Sequence, residues 1–329
     1  MSADSPPQPP SRGEGGGTGQ GPPSSKILIF VVGVVFGPGA GHFLAGLPRR
    51  GVAFALSSMA LAIIASVAVA SAPSPLTVSL YALPVLLHLG SLADLAILPR
   101  ERMRRATLPG VGQVLALLVA GVFLRNGLRN HAVELYQEPS ASMAPTLRVG
   151  DHFFASKLGP PPERGDLVTF PSPEAPEQTL VKRVVGFAGD RIEENGAVIS
   201  INGEPIPRCE LGTARIEGKD QTFVLEKLGA RLYLVMLDAH AKGSSNAWTV
   251  EPGKLFVVGD NRNDSHDSRT WLEGKGGGTP TATVIGRVTY RVFRAGTLSF
   301  GPVDELSLPR GAESLQDRVG PCRAELGGG

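Results

Sequence analysis

The sequence predicts a mainly β, antiparallel domain with an inserted β subdomain, preceded by a helical transmembrane region of three to four apolar segments. Two observations carry this. Between Ile27 and Leu98 the only charged residues are Arg49, Arg50 and Asp94, in apolar stretches about as long as the ~20 residues that a bilayer requires. From residue 138 the pattern changes to short β-type runs broken by Gly, Pro and Asp, among them DLVTF, TLVKRVVGF and KLFVVGD, as expected of short strands joined by turns. A chain of 329 residues has room for both parts, and a net charge of +2 gives no electrostatic reason to expect a nucleic-acid or acidic partner.

Residues 1–25 are Pro, Gly and Ser with few apolar residues, so they are expected to be disordered. They lack the charged start of a cleavable signal peptide. The region 26–130 follows. Ile27–Leu47 is long enough to span, but Pro38, three clustered glycines and His42 interrupt it, which predicts a kinked or re-entrant hairpin. Val52–Ala72 and Leu76–Leu98 are cleaner spans joined by Pro73-Ser74-Pro75, and Leu108–Leu124 spans with its flanks. Asp94 and His88 lie within the third segment; Asp94 is expected near the cytoplasmic end and His88 paired inside the bundle.

Six arginines, at 49, 50, 100, 102, 104 and 105, crowd the two loops on one side of the clean pair, against Arg125 and Arg129 on the other. The positive-inside tendency assigns the six to the cytoplasm and residue 130 onward to the far face. A reporter fused after residue 130 is therefore expected outside. Protection of that reporter from protease in spheroplasts is the result that would reverse the assignment.

Residues 131–295 form the predicted β domain, with 205–250 as its insert, and 296–329 is a Gly, Pro and charged tail. The two cysteines, Cys209 and Cys322, are too few for a disulfide scaffold, and whether they pair is left open. The six histidines and two cysteines show no ligand spacing, so no metal is expected. No Gly-rich loop opens a helix after a strand, so no cofactor is expected either.

The chemistry is read from the stretch PSASMAPTLRVGD at 139–151. A serine hydroxyl is a poor nucleophile unless a base and oxyanion donors surround it. Ser140 and Ser142, two apart, fall on one side of an extended chain, so that one can attack while the other donates. Lys182 lies in TLVKRVVGF with apolar neighbours on both sides. A free lysine is protonated at neutral pH, but burial disfavours the ammonium and makes the amine usable as a base. Arg183, next to it, points to the opposite face as a structural or solvated charge. GDNRNDSHDSR at 259–269 is dense in turn formers and in opposite charges, Asp260 with Arg262 and Asp267 with Arg269, which suggests a rigid hydrogen-bonded knot. His266 beside Asp267 does not make a Ser-His-Asp set, because adjacent strand residues point apart.

Four stretches in order, SASMAPTLRVGD, GDLVTF, VKRVVGFAGD and GDNRNDSHDSR, resemble type I signal peptidases, the bacterial membrane-bound Ser-Lys serine proteases that remove signal peptides from exported proteins. The resemblance covers most of 138–293. It implies Ser142 as nucleophile, Lys182 as general base and Ser140 as oxyanion donor. It also implies that Ser265 orients the lysine, with Asp267, Arg269 and Asp260 in support. Cutting after small residues in an A-x-A-like pattern follows from the same resemblance. So does a place in the cytoplasmic membrane, with the peptidase domain outside, acting on signal peptides and contacting the lipid bilayer. The chain is expected to be monomeric. Three or four spans exceed the family's usual one or two, and Ala188 stands where the family commonly has proline. A self-cleaving Ser-Lys repressor would instead be soluble and carry a DNA-binding helix pair. A non-catalytic receptor for signal peptides would have lost the Ser-Lys pair, and both residues are present.

Overall fold

The computed structural model describes residues 25–72, 74–103, 108–294, 297–303 and 306–327. The Pro/Gly/Ser-rich segment 1–24, Pro73 of the tight turn, and Arg104 and Arg105 lie outside the described residues. Contacts divide the chain into two compact units, 1–58 with 84–121, and 59–83 with 122–329.

Three helices are long and apolar enough to cross a membrane by length and composition: Pro48–Ser71, Pro75–Ile97 and Pro109–His131. Each carries a proline in its first turn, where the fixed φ and missing N–H are tolerated. The second is interrupted at Leu80-Tyr81, and at its start the Ser74 and Thr77 side chains cap each other's backbone N–H groups at 3.1 and 2.8 Å. The kink expected in the first segment forms. Helix Lys26–Phe36 stops at Gly37, and Gly37 and Gly39 take left-handed φ of 91° and 87° to turn the chain into the short helix Ala40–Leu44. A Cβ on Gly41 would lie 2.6 Å from the Ile29 carbonyl oxygen, so this hairpin closes only around glycine.

In the first unit Asp94 is held by His42 Nε2 at 2.8 Å and by Arg50 Nη1 at 2.9 Å. His88 departs from expectation: its Nδ1 is buried with no hydrogen-bond partner among the described residues.

The second unit contains the mainly antiparallel β domain. Among the described residues its central sheet has eight strands, and the strands that matter here lie side by side: Val133–Gln137, His152–Ser156, Gly286–Arg294, Leu167–Pro171, Thr179–Phe187 and Lys254–Val258. Leu167–Pro171 and Thr179–Phe187 pair antiparallel, with Val168 opposite Lys182 and Leu167 opposite Arg183. Both faces of this pair are covered. Met143, Leu147, Phe153, Leu167 and Val181 pack on one side, and Val168, Phe170, Val184, Leu255, Val257 and Trp271 on another. Burial on two faces gives Thr179–Phe187 a run of six consecutive buried residues from Val181 to Gly186, rather than an alternation.

The stretch 205–250 contributes a three-stranded sheet, Arg208–Ile216, Lys219–Leu228 and Arg231–Asp238. Its last strand, Ser245–Thr249, pairs outside the stretch with Arg191–Asn195. Cys322 lies in a helix, Gln316–Glu325, which packs Val319 and Cys322 against Leu211, Phe223 and Leu225 of the three-stranded sheet. There it forms a disulfide with Cys209 across a Cα–Cα distance of 5.5 Å. At the other end of the domain, Ser156 Oγ donates to the Ala70 carbonyl at 2.7 Å and Tyr81 stacks on Phe154. The 70–81 end of the helical hairpin is thus seated on the sheet.

Candidate active site

The serine stretch 140–147 is a series of turns, not the extended strand read from the sequence. Its carbonyls turn inward, Ala144 N–H bonding Ala141 O at 3.0 Å and Leu147 N–H bonding Met143 O at 2.9 Å, while Met143 and Leu147 anchor it as fully buried side chains. The turn still brings the two hydroxyls together, with Ser140 Oγ 3.1 Å from Ser142 Oγ.

Lys182 reaches this loop from the middle of the central sheet. Its Nζ lies 2.6 Å from Ser142 Oγ, and the residue is 3% exposed. Burial pushes the Lys182 amine below its ordinary range, against the pull of the carboxylates of Asp267, Glu138 and Asp260. The site therefore contains a hydroxyl and a desolvated amine in hydrogen-bond contact, the arrangement that nucleophile activation requires.

The 259–269 segment fastens the loop. Asn261 N–H donates to the Ser142 carbonyl at 3.1 Å, and Asn261 Nδ2 to the Ala141 carbonyl at 3.2 Å. Thr146 Oγ1 donates to Asp260 Oδ2 at 2.5 Å. One of the two sign pairs read from the sequence, Asp260 with Arg262, does not form. Asp260 binds Arg183 bidentately, at 2.7 Å for each bond, and Arg262 turns away to Glu226. The reason is stacking. Arg183 is fully buried with its guanidinium 3.8 Å over the Tyr233 ring, so it is a structural charge and not a solvated one.

Asp267 and Arg269 do meet, through bonds of 2.9 Å from Nε and from Nη2. Arg269 also binds Glu194 at 2.8 Å. Burial alone would raise the Asp267 carboxyl, but the charge and hydrogen bonds of Arg269 and the Gly259 N–H bring it below its ordinary range. Ser265 Oγ faces Asp267 but falls short of a well-formed hydrogen bond, and it makes none to Lys182. His266 points away to Glu174, at 2.5 Å.

Four contributors escaped the sequence reading: Thr146, Asn261, Glu138 and Gly259. The last had a signal in its motif, since a glycine between a buried strand and a charged turn often marks close approach. A Cβ on Gly259 would lie 2.5 Å from the Ser142 carbonyl oxygen and would strike Ser265 Oγ. Gly259→Ala is expected to lower kcat by about 10²-fold through displacement of Ser142, with KM and Tm changed far less. An unaltered kcat in steady-state kinetics would show that the loop absorbs the methyl.

A buried strand lysine thus meets a serine held in a stitched turn. The family model described as signal peptidase, peptidase S26, matches residues 111–293, more than half of the chain, and the chain belongs to that family. It is 32% identical over 166 residues to a signal peptidase I of Pseudomonas aeruginosa, covering 45% of this chain and 58% of that one. It is 30% identical over 192 residues to a signal peptidase I of Leptolyngbya laminosa, covering 55% and 79%. Its match thus spans less than two thirds of the length of the Pseudomonas relative. A crystal structure of a signal peptidase I from Enterococcus faecalis V583 is 30% identical, covering 39% of this chain and 97% of that one, with a TM-score of 0.25.

Proposed function

We propose that this chain is a membrane-tethered serine endopeptidase that removes N-terminal signal peptides from exported preproteins. The observation that carries the proposal is the 2.6 Å contact between Ser142 Oγ and the buried Lys182 amine. Neutral Lys182 takes the Ser142 proton as Oγ attacks the carbonyl carbon of the scissile bond. The oxyanion is held by the Ser142 N–H, which has only a long 3.4 Å contact to Ser140 Oγ, and by the Ser140 hydroxyl. The protonated lysine then gives its proton to the leaving amine of the mature protein. A water deprotonated by Lys182 releases the signal peptide from its ester on Ser142. Asp267, Arg269 and Asp260 keep this constellation rigid.

Small size at the cut is supported by a cavity of about 60 Å³ beside the pair, lined by Tyr136, Ser142, Phe153, Thr169, Val181 and Lys182 among others. A space of that size suits a small side chain. Placement of the domain outside the cytoplasm is supported by the Cys209–Cys322 disulfide, a bond of oxidising compartments. It is also supported by the seating of the 70–81 hairpin end on the sheet, taken with the arginines at 49, 50, 100 and 102, which the positive-inside tendency assigns to the cytoplasm.

The test is the full-length chain in lipid vesicles with a preprotein whose signal peptide ends in A-x-A, the product being read by N-terminal sequencing. Cleavage at that junction is expected, with Ser142→Ala as the inactive control. Absence of the cut, or its persistence in Ser142→Ala, refutes the proposal.

A further inference from the structure

Glu138 follows the strand Val133–Gln137 and is 2% exposed at the edge of the same small cavity. Its main chain is pinned by two bonds, Glu138 N–H to the Asp151 carbonyl at 2.9 Å and Gly150 N–H to its own carbonyl at 2.8 Å. Its side chain points at the oxyanion donor. Oε1 accepts from the Ser140 N–H at 3.0 Å and is bonded to Ser140 Oγ at 2.7 Å. The second oxygen, Oε2, is buried with no hydrogen-bond partner among the described residues.

The ionisable groups facing it are few. Lys182 comes from the strand Thr179–Phe187, Asp151 from the turn before His152–Ser156, and Tyr136 from the strand that Glu138 itself follows. The first is the amine that must be uncharged to work, and the second repels a carboxylate. Among the described residues no cation forms an ion pair with Glu138. A buried carboxylate with one bare oxygen and no counter-ion costs more than the neutral acid. Burial pushes the Glu138 carboxyl above its ordinary range, although the Ser140 hydrogen bonds and the Lys182 charge act the other way.

A hydroxyl carries a single hydrogen. If Glu138 is ionised, the Ser140 hydrogen goes to it, because charge-assisted bonds are the stronger ones, and the oxyanion receives nothing from Ser140. If Glu138 is protonated, it donates to Ser140 Oγ, and the Ser140 hydrogen is free to turn. We propose that Glu138 works as a neutral acid that donates to Ser140 Oγ and so keeps the Ser140 hydrogen available to the oxyanion. Glu138 is then a positioning residue that acts through Ser140, and this role rests on the Ser-Lys reading above. It also predicts a bell-shaped dependence of rate on pH, in which Lys182 must be deprotonated and Glu138 protonated.

The experiment is kcat/KM against pH for the full-length chain in vesicles, on a peptide with an A-x-A junction. For the wild type a fall of about tenfold per pH unit is expected on the alkaline side. Glu138→Gln, whose amide donates at every pH, is expected to keep the maximal rate and lose that fall. Glu138→Ala is expected to drop about 10²-fold, to the level of Ser140→Ala. A Glu138→Gln profile with the wild-type alkaline fall overturns the inference, as does full activity in Glu138→Ala. If Glu138→Gln does not fold, infrared spectroscopy of the wild type carrying isotope-labelled glutamate decides. A carboxylic-acid carbonyl band that fades in step with alkaline inactivation supports the role, and its absence overturns it. Cleavage abolished by Ser142→Ala together with an unchanged alkaline fall in Glu138→Gln refutes this inference alone. Cleavage that survives Ser142→Ala removes the Ser-Lys reading and this inference with it.

Discussion

Ser142→Ala and Lys182→Ala are each expected to lower preprotein cleavage by at least ~10⁴-fold, because nucleophile and base act as a unit and the loss of either removes most of what both supply. Lys182→Arg separates a base from a mere cation. Arginine preserves a positive charge at this position but cannot deprotonate in the working range, so it is expected to be as inactive as alanine. The pH dependence follows from the same amine. Burial holds the folded-state pKa of Lys182 below the ordinary lysine value, so the inactive ammonium dominates on the acid side and the active amine appears as pH rises. The rate is expected to climb about tenfold per pH unit on the acid side of that ionisation. Initial rates of product formation on gels check all three variants. Appreciable cleavage by Lys182→Arg, or a rate flat from acid to alkaline pH, would remove lysine as the base.

Asp260→Ala is expected to be the most destabilising single change near the site. Arg183 and Asp260 are both fully buried, and removal of one partner strands a charge. Loss of one member of a buried pair costs about 3–5 kcal/mol, and in a domain of this size that corresponds to a fall in Tm on the order of 10 °C. The same substitution releases Thr146 Oγ1 and loosens the loop that presents Ser142, so activity is expected to fall with stability. Asp220→Ala provides the contrast. Its pair with Arg215 is exposed at 3.4 Å, and exposed pairs contribute about 0–1 kcal/mol. Thermal unfolding followed by circular dichroism reads both variants. Similar Tm values for Asp260→Ala and Asp220→Ala would show that the buried pair is not what secures the loop.

Much of the architecture was legible from the residues alone. Helices and strands announce themselves through local chemistry, and apolar runs that open on proline and short β-branched runs broken by Gly and Asp needed no partner to be recognised. The kink at Gly37-Pro38-Gly39 was legible for the same reason. The pairing of Ser142 with Lys182 was of another kind. Forty positions separate them, and nothing in spacing or periodicity joins a loop to a strand at that distance, so only the resemblance suggested it.

Partner choice among charges was not legible. GDNRNDSHDSR places Asp260 two positions from Arg262, yet Asp260 binds Arg183 and Arg262 binds Glu226. Proximity along a chain says little once side chains are buried on both faces of a sheet and each must find a satisfying counter-charge across it. The fate of Cys322 was hidden for a related reason, since its helix is held by the three-stranded sheet it covers and not by its own composition.

The sequence by itself determined which segments are apolar, which are strands, and that a serine loop, a strand lysine and a charged turn occur in the order of a known family. Only the tertiary structure decided that the lysine is dry and 2.6 Å from the serine hydroxyl, that Arg183 stacks on Tyr233, and that the buried Glu138 carboxyl meets the Ser140 hydroxyl. Segment character depends on neighbours along the chain. Protonation and pairing depend on solvent exclusion and on charges brought together from distant strands, and those exist only after folding.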